Sequence, residues 1–100
     1  MIYTDPDLNM DFDIPFFENV SQEDMQVKHR DVVFRAMEKA IVWLGDNTQH
    51  ETVPCFSANG TIFEINIDGV HEHIENCIEY FQLNEDYEAC GKLLALSKIL

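Results

Sequence analysis

Asn59-Gly60-Thr61-Ile62-Phe63-Glu64-Ile65-Asn66-Ile67-Asp68-Gly69-Val70-His71-Glu72-His73-Ile74 changes its hydrophobic period in mid-course, and that change decides the fold. Asn-Gly tolerates positive φ at both positions, which is what a two-residue hairpin turn demands. Over residues 61–67 the period is two: Thr61, Phe63, Ile65 and Ile67 share one face of a strand, and Ile62, Glu64 and Asn66 share the other. From residue 69 the period becomes helical. Val70, Ile74, Cys77, Ile78 and Phe81 form one apolar stripe of a helix over 69–82, with Asp68 expected as its cap.

Moving toward the N-terminus, Thr52–Ser57 supplies the first strand of the hairpin, and Pro54 marks it as an edge strand. Two strands alone are marginal in water, so this hairpin has to pack on a helix or pair with another chain. Ser21, followed by Glu23 and Asp24, is expected to cap a long helix that runs to Leu44, with Gly45 as the residue that ends it. Val33, Met37, Ala40, Ile41 and Leu44 make its apolar face. Phe34 and Trp43 fall off that stripe and are expected against the hairpin or the N-terminal segment.

Toward the C-terminus, Asn84 is expected to cap a final helix whose apolar positions are Tyr87, Cys90, Leu93, Leu94, Leu96 and Leu100. A link this short makes the last two helices an antiparallel hairpin, with contacts expected through Ile74, Ile78, Phe81, Tyr87 and Leu94. The reading is a small α+β fold: one domain over residues 21–100, comprising a long helix, a β-hairpin and a C-terminal helical hairpin.

Residues 1–20 read as an acidic N-terminal arm, because Pro6 and Pro15 interrupt any helix. Asp11, Phe12, Asp13, Ile14, Phe16 and Phe17 alternate acid with bulky apolar groups, a pattern typical of segments that fold on a partner. The competing expectation is an extended arm that packs Ile14, Phe16 and Phe17 onto its own domain.

Residues 74–100 resemble the helical hairpin of UVR domains, the short modules of bacterial excision-repair proteins and some protease-regulating proteins. The resemblance lies in Tyr87-Glu88-Ala89-Cys90-Gly91-Lys92-Leu93-Leu94, an aromatic, acidic, small, small, basic, leucine run, with Ile78 at an apolar position of the preceding helix. The Arg-Asp pair usual in that family is absent, and Leu94 and Ala95 stand in its place. The resemblance implies a protein–protein docking hairpin with no chemistry of its own.

The net charge of −13 bears most directly on function. From Asp46 to Asp86 the chain carries nine carboxylates and no lysine or arginine. Asp68, Glu72, Glu75 and Glu79 fall at helical spacing on one face, where like charges repel by a few tenths of a kcal/mol per pair, at about 0.2–0.5. Glu64 precedes them on the second strand. Such a surface argues against direct binding to nucleic acid or an anionic membrane and favours a basic protein surface, a metal cation or simple solubility. Carboxylates on one helix face recur every ~4.5–6 Å, a scale similar to successive backbone phosphates. In size and charge the chain resembles small nucleic-acid-mimic inhibitor proteins of viruses and bacteria, including some anti-CRISPR and restriction-inhibitor proteins. The expected partner is a basic surface of a nucleic-acid-handling protein, contacted by Asp68, Glu72, Glu75, Glu79 and Glu64 and by Asp11, Phe12, Asp13, Phe16 and Phe17. The alternatives are a solvated helix face and, for function, a UVR-like adaptor or self-associating module that forms a homodimer.

Other chemistries find little support. His73 and Cys77 have metal-ligand spacing on a helix, but Cys77 belongs to the apolar stripe and no second ligand pair accompanies it. Ser57 and Ser97 lie in no nucleophile elbow, and the four glycines form no phosphate-binding loop. A non-enzymatic protein without cofactor is expected. Three cysteines and no visible signal peptide suggest free thiols in a cytoplasmic protein.

Overall fold

The computed structural model describes all 100 residues. Its elements are strands β1 (Ile2–Asp5), β2 (Met10–Asp13) and β3 (Phe16–Phe17), helices α1 (Gln22–Gln26) and α2 (Arg30–Asp46), strands β4 (Thr52–Ala58) and β5 (Thr61–Asn66), a 3-10 turn at Ile67–Gly69, and helices α3 (Val70–Leu83) and α4 (Tyr87–Ile99). The architecture is α+β. β1 and β2 form a separate antiparallel pair, and the second sheet has the order β3-β4-β5.

The hairpin forms where the Asn-Gly signal places it. Asn59 and Gly60 have φ of 52° and 83°, and β4 and β5 pair antiparallel from Ala58↔Thr61 to Thr52↔Asn66. Asn59 also ties down the residue before the N-cap of α1, because its side chain accepts the Val20 N–H at 3.1 Å and donates to the Val20 carbonyl at 2.8 Å. β4 is not an edge strand, contrary to the expectation from Pro54. β3 runs parallel to it, pairing Phe16 with Ser57 and Phe17 with Ala58. Pro54 is tolerated because that pairing lies beyond it and the β4–β5 register itself shifts between Pro54 and Phe56.

The N-terminal arm packs on its own domain and has structure within it. Asp5 is buried, and its Oδ1 accepts the N–H groups of Asp7 (2.9 Å) and Leu8 (3.0 Å), while Asn9 turns the chain at φ 53°. This side-chain-built turn joins β1 to β2. Phe12 then meets Trp43 edge-to-face at 5.3 Å, Ile14 is buried, and the Pro15 carbonyl accepts the Ser57 N–H at 2.9 Å.

The expected single helix from Ser21 to Leu44 is two helices. Ser21 and Asp24 form a reciprocal capping box, at 3.0 and 3.1 Å, that starts α1. The ladder then opens: the His29 N–H reaches back five residues to the Asp24 carbonyl (2.9 Å), and the His29 ring lies 4.9 Å from that of Phe17. α2 restarts at Arg30. It continues past Gly45, which is not the terminating residue; Asn47 ends the helix and donates to the Trp43 carbonyl. A Cβ on Gly45 would collide with the Leu96 side chain, so this glycine serves the approach of α4.

α3 and α4 form the expected hairpin, with different caps. Gly69, not Asp68, is the N-cap of α3, and Asp68 sits in the 3-10 turn capped by Asn66. Asn84 closes α3 by donating to the Tyr80 carbonyl, Glu85 reverses the chain at φ 59°, and Asp86 caps α4 through the Ala89 N–H. The buried face of α4 is Ala89, Cys90 and Leu93; Tyr87 and Leu94, expected inside, are exposed. One core joins α2, α3, α4 and the β4–β5 sheet, with Ile41, Leu44, Val70, Cys77, Phe81 and Leu93 wholly buried.

Candidate functional site

Helical periodicity places Val70, Ile74, Cys77 and Phe81 against the core, with Tyr80 buried beside them, so the opposite side of α3 faces outward. Glu72, Glu75 and Glu79 are therefore exposed on consecutive turns. Asp68 precedes the helix in the 3-10 turn and is exposed there, so it borders the stripe without belonging to its helical ladder. Glu64 is exposed on β5. None of these five carboxylates forms an ion pair: the salt bridges engage Asp13, Asp31 and Asp86. The bases that could have neutralised them are committed elsewhere or lie on other elements. Arg35 donates to Asp86 at 2.7 Å, approaches Asp31 at 3.8 Å and lies 4.6 Å from the Phe81 ring centroid. Lys39 donates to the Asp13 carbonyl.

The other expected contact residues are not brought to this face. Phe12, Phe16 and Phe17 are partly buried in the N-terminal strands, where Phe12 meets Trp43 and Phe17 lies near His29 and Phe56. Asp11 and Asp13 are exposed on β2. Asp11 accepts the Thr4 hydroxyl at 2.6 Å, and Asp13 accepts the terminal ammonium of Met1, the hydrogen bond that chiefly lowers its pKa. Phe12, Phe16 and Phe17 tie the arm to the domain, whereas the side-chain hydrogen bonds of Asp11 and Asp13 lie within the arm and leave both residues exposed.

The remaining titratable groups have structural surroundings. The hydrogen bond from Arg35 holds the Asp86 carboxyl below its ordinary range, with the Ala89 N–H adding to the effect. Asp24 is lowered chiefly by the Ser21 N–H. Burial pushes the thiols of Cys55 and Cys77 up to about 12; Cys77 adds to the shift of Cys55, and Glu38 adds to that of Cys77. Thiols held this firmly protonated are poor nucleophiles. No three His, Cys, Asp or Glu side chains are grouped to hold a metal ion, and no helix is long and apolar enough to cross a membrane.

Sequence reasoning missed a second feature. An open groove of about 840 Å³ lies between α1, the first turns of α2 and the β4–β5 hairpin. Phe56 and Phe63, stacked at 4.9 Å, line it together with Met25, Val33, Phe34 and Arg30. Ile65 is 2% exposed and Phe63, two residues earlier on the same strand face, is 46% exposed, so the cover given by the helices ends between them. The signal in the sequence was the excess of aromatic residues over what one strand face needs, but only the break between α1 and α2 shapes the hollow.

No known protein family, curated protein or solved structure matches the chain.

Proposed function

We propose that the chain is a non-enzymatic acidic binding protein, an inhibitor or regulator that docks on a basic surface of a nucleic-acid-handling protein and occupies it as a nucleic-acid mimic. The observation that carries this reading is the unpaired carboxylate face of α3: Glu72, Glu75 and Glu79 project from one helix side with no cation within salt-bridge distance. A fold gains nothing from such repulsion, whereas a partner of opposite charge gains encounter rate and specificity from it. The test compares wild type with E72K/E75K/E79K. Wild type should capture a basic nucleic-acid-binding protein from bacterial lysate at low salt, release it at high salt, and compete with DNA for it. The triple variant, whose changes lie outside the core, should fold normally and fail in both assays. Equal capture and equal competition by the two proteins would reduce the stripe to a solvated face.

A second reading rests on α4. Tyr87 and Leu94 are 65% and 53% exposed on one helix side seven residues apart, and Leu83 and Ile99 are also exposed. These positions fall within the stretch that resembles the UVR hairpin, and they suit an adaptor or a self-associating module held by apolar contact. Such an association would survive high salt, which separates it from the first reading.

A further inference from the structure

The groove between α1, α2 and the β4–β5 hairpin is set apart from the rest of the molecule by its charge. The chain carries 19 carboxylates and 6 lysine or arginine residues, yet the residues lining the groove include no carboxylate and one arginine, Arg30. Its volume, about 840 Å³, falls within the range of small-molecule sites, and its lining is mostly apolar, which is the usual character of such sites.

Arg30 differs from Arg35 in how it is held. Arg35 is engaged by Asp86, Asp31 and the Phe81 ring. Arg30 has no ion pair and no hydrogen bond; its guanidinium lies 5.7 Å from the Phe34 ring centroid and 5.2 Å from that of Tyr80. Phe34 and Tyr80 are themselves stacked at 4.3 Å and 4°. The stack orients a guanidinium whose five donors have no protein acceptor. Two of the polar groups lining the groove are already occupied: the Ser21 hydroxyl accepts the Asp24 N–H, and the Asn59 amide clamps Val20. The arrangement provides an apolar trough and one free, positioned cation in a molecule that is otherwise strongly negative.

We propose that this groove binds a small amphipathic monoanion, an alkyl or aromatic body ending in a carboxylate, with the body on Phe56, Phe63 and Met25 and the carboxylate on Arg30. The inference goes beyond the acidic docking face, shares no residue with it, and stands or falls separately.

The probe is decanoate, with decyltrimethylammonium and decanol as charge-reversed and neutral counterparts, titrated by calorimetry and by amide chemical shifts. Decanoate should bind once per chain, and amides in 20–34 and 56–63 should shift. Decyltrimethylammonium should bind at least tenfold more weakly, against the sense of the net charge of −13, which by itself favours the cation. R30Q should weaken decanoate at least tenfold and leave decanol unchanged. F63D, which places a carboxylate on a half-exposed position in the groove, should abolish decanoate binding while circular dichroism shows the fold retained. The proposal is overturned by the absence of saturable decanoate binding, by a cation that binds as well as the anion, or by R30Q binding decanoate as wild type does. A dimer that F63D converts to monomer and decanoate does not disturb would also overturn it, and would give the groove to a second copy of the chain.

Discussion

Glu85 shows what one residue can be made to do by its position. It turns the chain between α3 and α4 at φ 59°, a conformation in which an L side chain crowds its own backbone at a cost of about 1–2 kcal/mol. Its side chain is exposed and makes no hydrogen bond or ion pair that would offset this cost. Glycine adopts the same φ freely, though it gives back part of the gain through the greater entropy of the unfolded chain. Glu85→Gly should therefore raise stability by about 0.5–1 kcal/mol, read as a higher urea midpoint with an unchanged m-value. A lower midpoint would mean that the Glu85 side chain contributes something its surroundings do not show. The neighbouring Asp86 works in the opposite sense, since one carboxylate caps α4 and receives Arg35 of α2. Asn59 is similarly economical, supplying both a turn residue and a clamp on Val20.

At the scale of the element, α2 is the piece on which the β4–β5 hairpin and the last two helices pack. It contacts β4, α3 and α4, and its approach to α4 is set by Gly45. A glycine inside a helix costs about 1 kcal/mol relative to alanine, so its presence within α2 needs a compensating gain. That gain is the space taken by Leu96. Gly45→Ala in the wild-type background should leave stability nearly unchanged, because the terminal methyl of the half-buried Leu96 must rotate away and the cost of that shift offsets the helix-propensity gain. In a Leu96→Ala background the same change should stabilise by up to about 1 kcal/mol, since the obstruction is gone. Chemical denaturation of the four proteins completes the double-mutant cycle, and strict additivity would show that the two residues do not compete for space.

At the scale of the whole molecule, protonation sets two limits on stability. Asp13, Asp24 and Asp86 have folded-state pKa values below the ordinary 3.8, so the stability they contribute is complete above pH 4 and is lost as pH falls through their lowered values. Cys55 and Cys77 shift the other way, from 9.0 to about 12. Folding holds their protons, so their contribution is complete below pH 9 and declines between pH 9 and about 12, where the unfolded chain ionises first. Tyr80, raised chiefly by burial and then by its hydrogen bond to Asp31, adds to the alkaline decline above pH 10. Thermal midpoints should therefore form a plateau between pH 4 and 9. The slope above pH 9 should be shallower in Cys77→Ala than in wild type, whatever the absolute stability of that variant. An equal slope would show that the Cys77 thiol is not held protonated by the fold.

The sequence by itself determined the elements whose signals are local. Asn59-Gly60 specified the hairpin because positive φ at both residues is a property of those two residues, and the switch of period near residue 68 separated strand from helix because each periodicity is written within a few residues. The exposed carboxylates of α3 were legible for the same reason: Val70, Ile74, Cys77 and Phe81 define one face, and Glu72, Glu75 and Glu79 are left on the other. The arm was not legible in this way: Pro6 and Pro15 argued against a helix and no strand was expected, whereas Ile2–Asp5 and Met10–Asp13 pair around a turn held by the Asp5 carboxylate. Only the tertiary structure decided the rest. Apolar residues lie all round α4, so the buried set of Ala89, Cys90 and Leu93 was selected by how closely α2 and α3 approach. Pro54 sits in a central strand because β3 pairs only beyond it, and Gly45 lies within a helix because Leu96 needs the space. The break at residues 27–29, where His29 meets Phe17, shapes the groove beside Arg30. Each of these depends on a contact between residues distant in the chain, and a contact of that kind leaves no mark in the sequence around either partner.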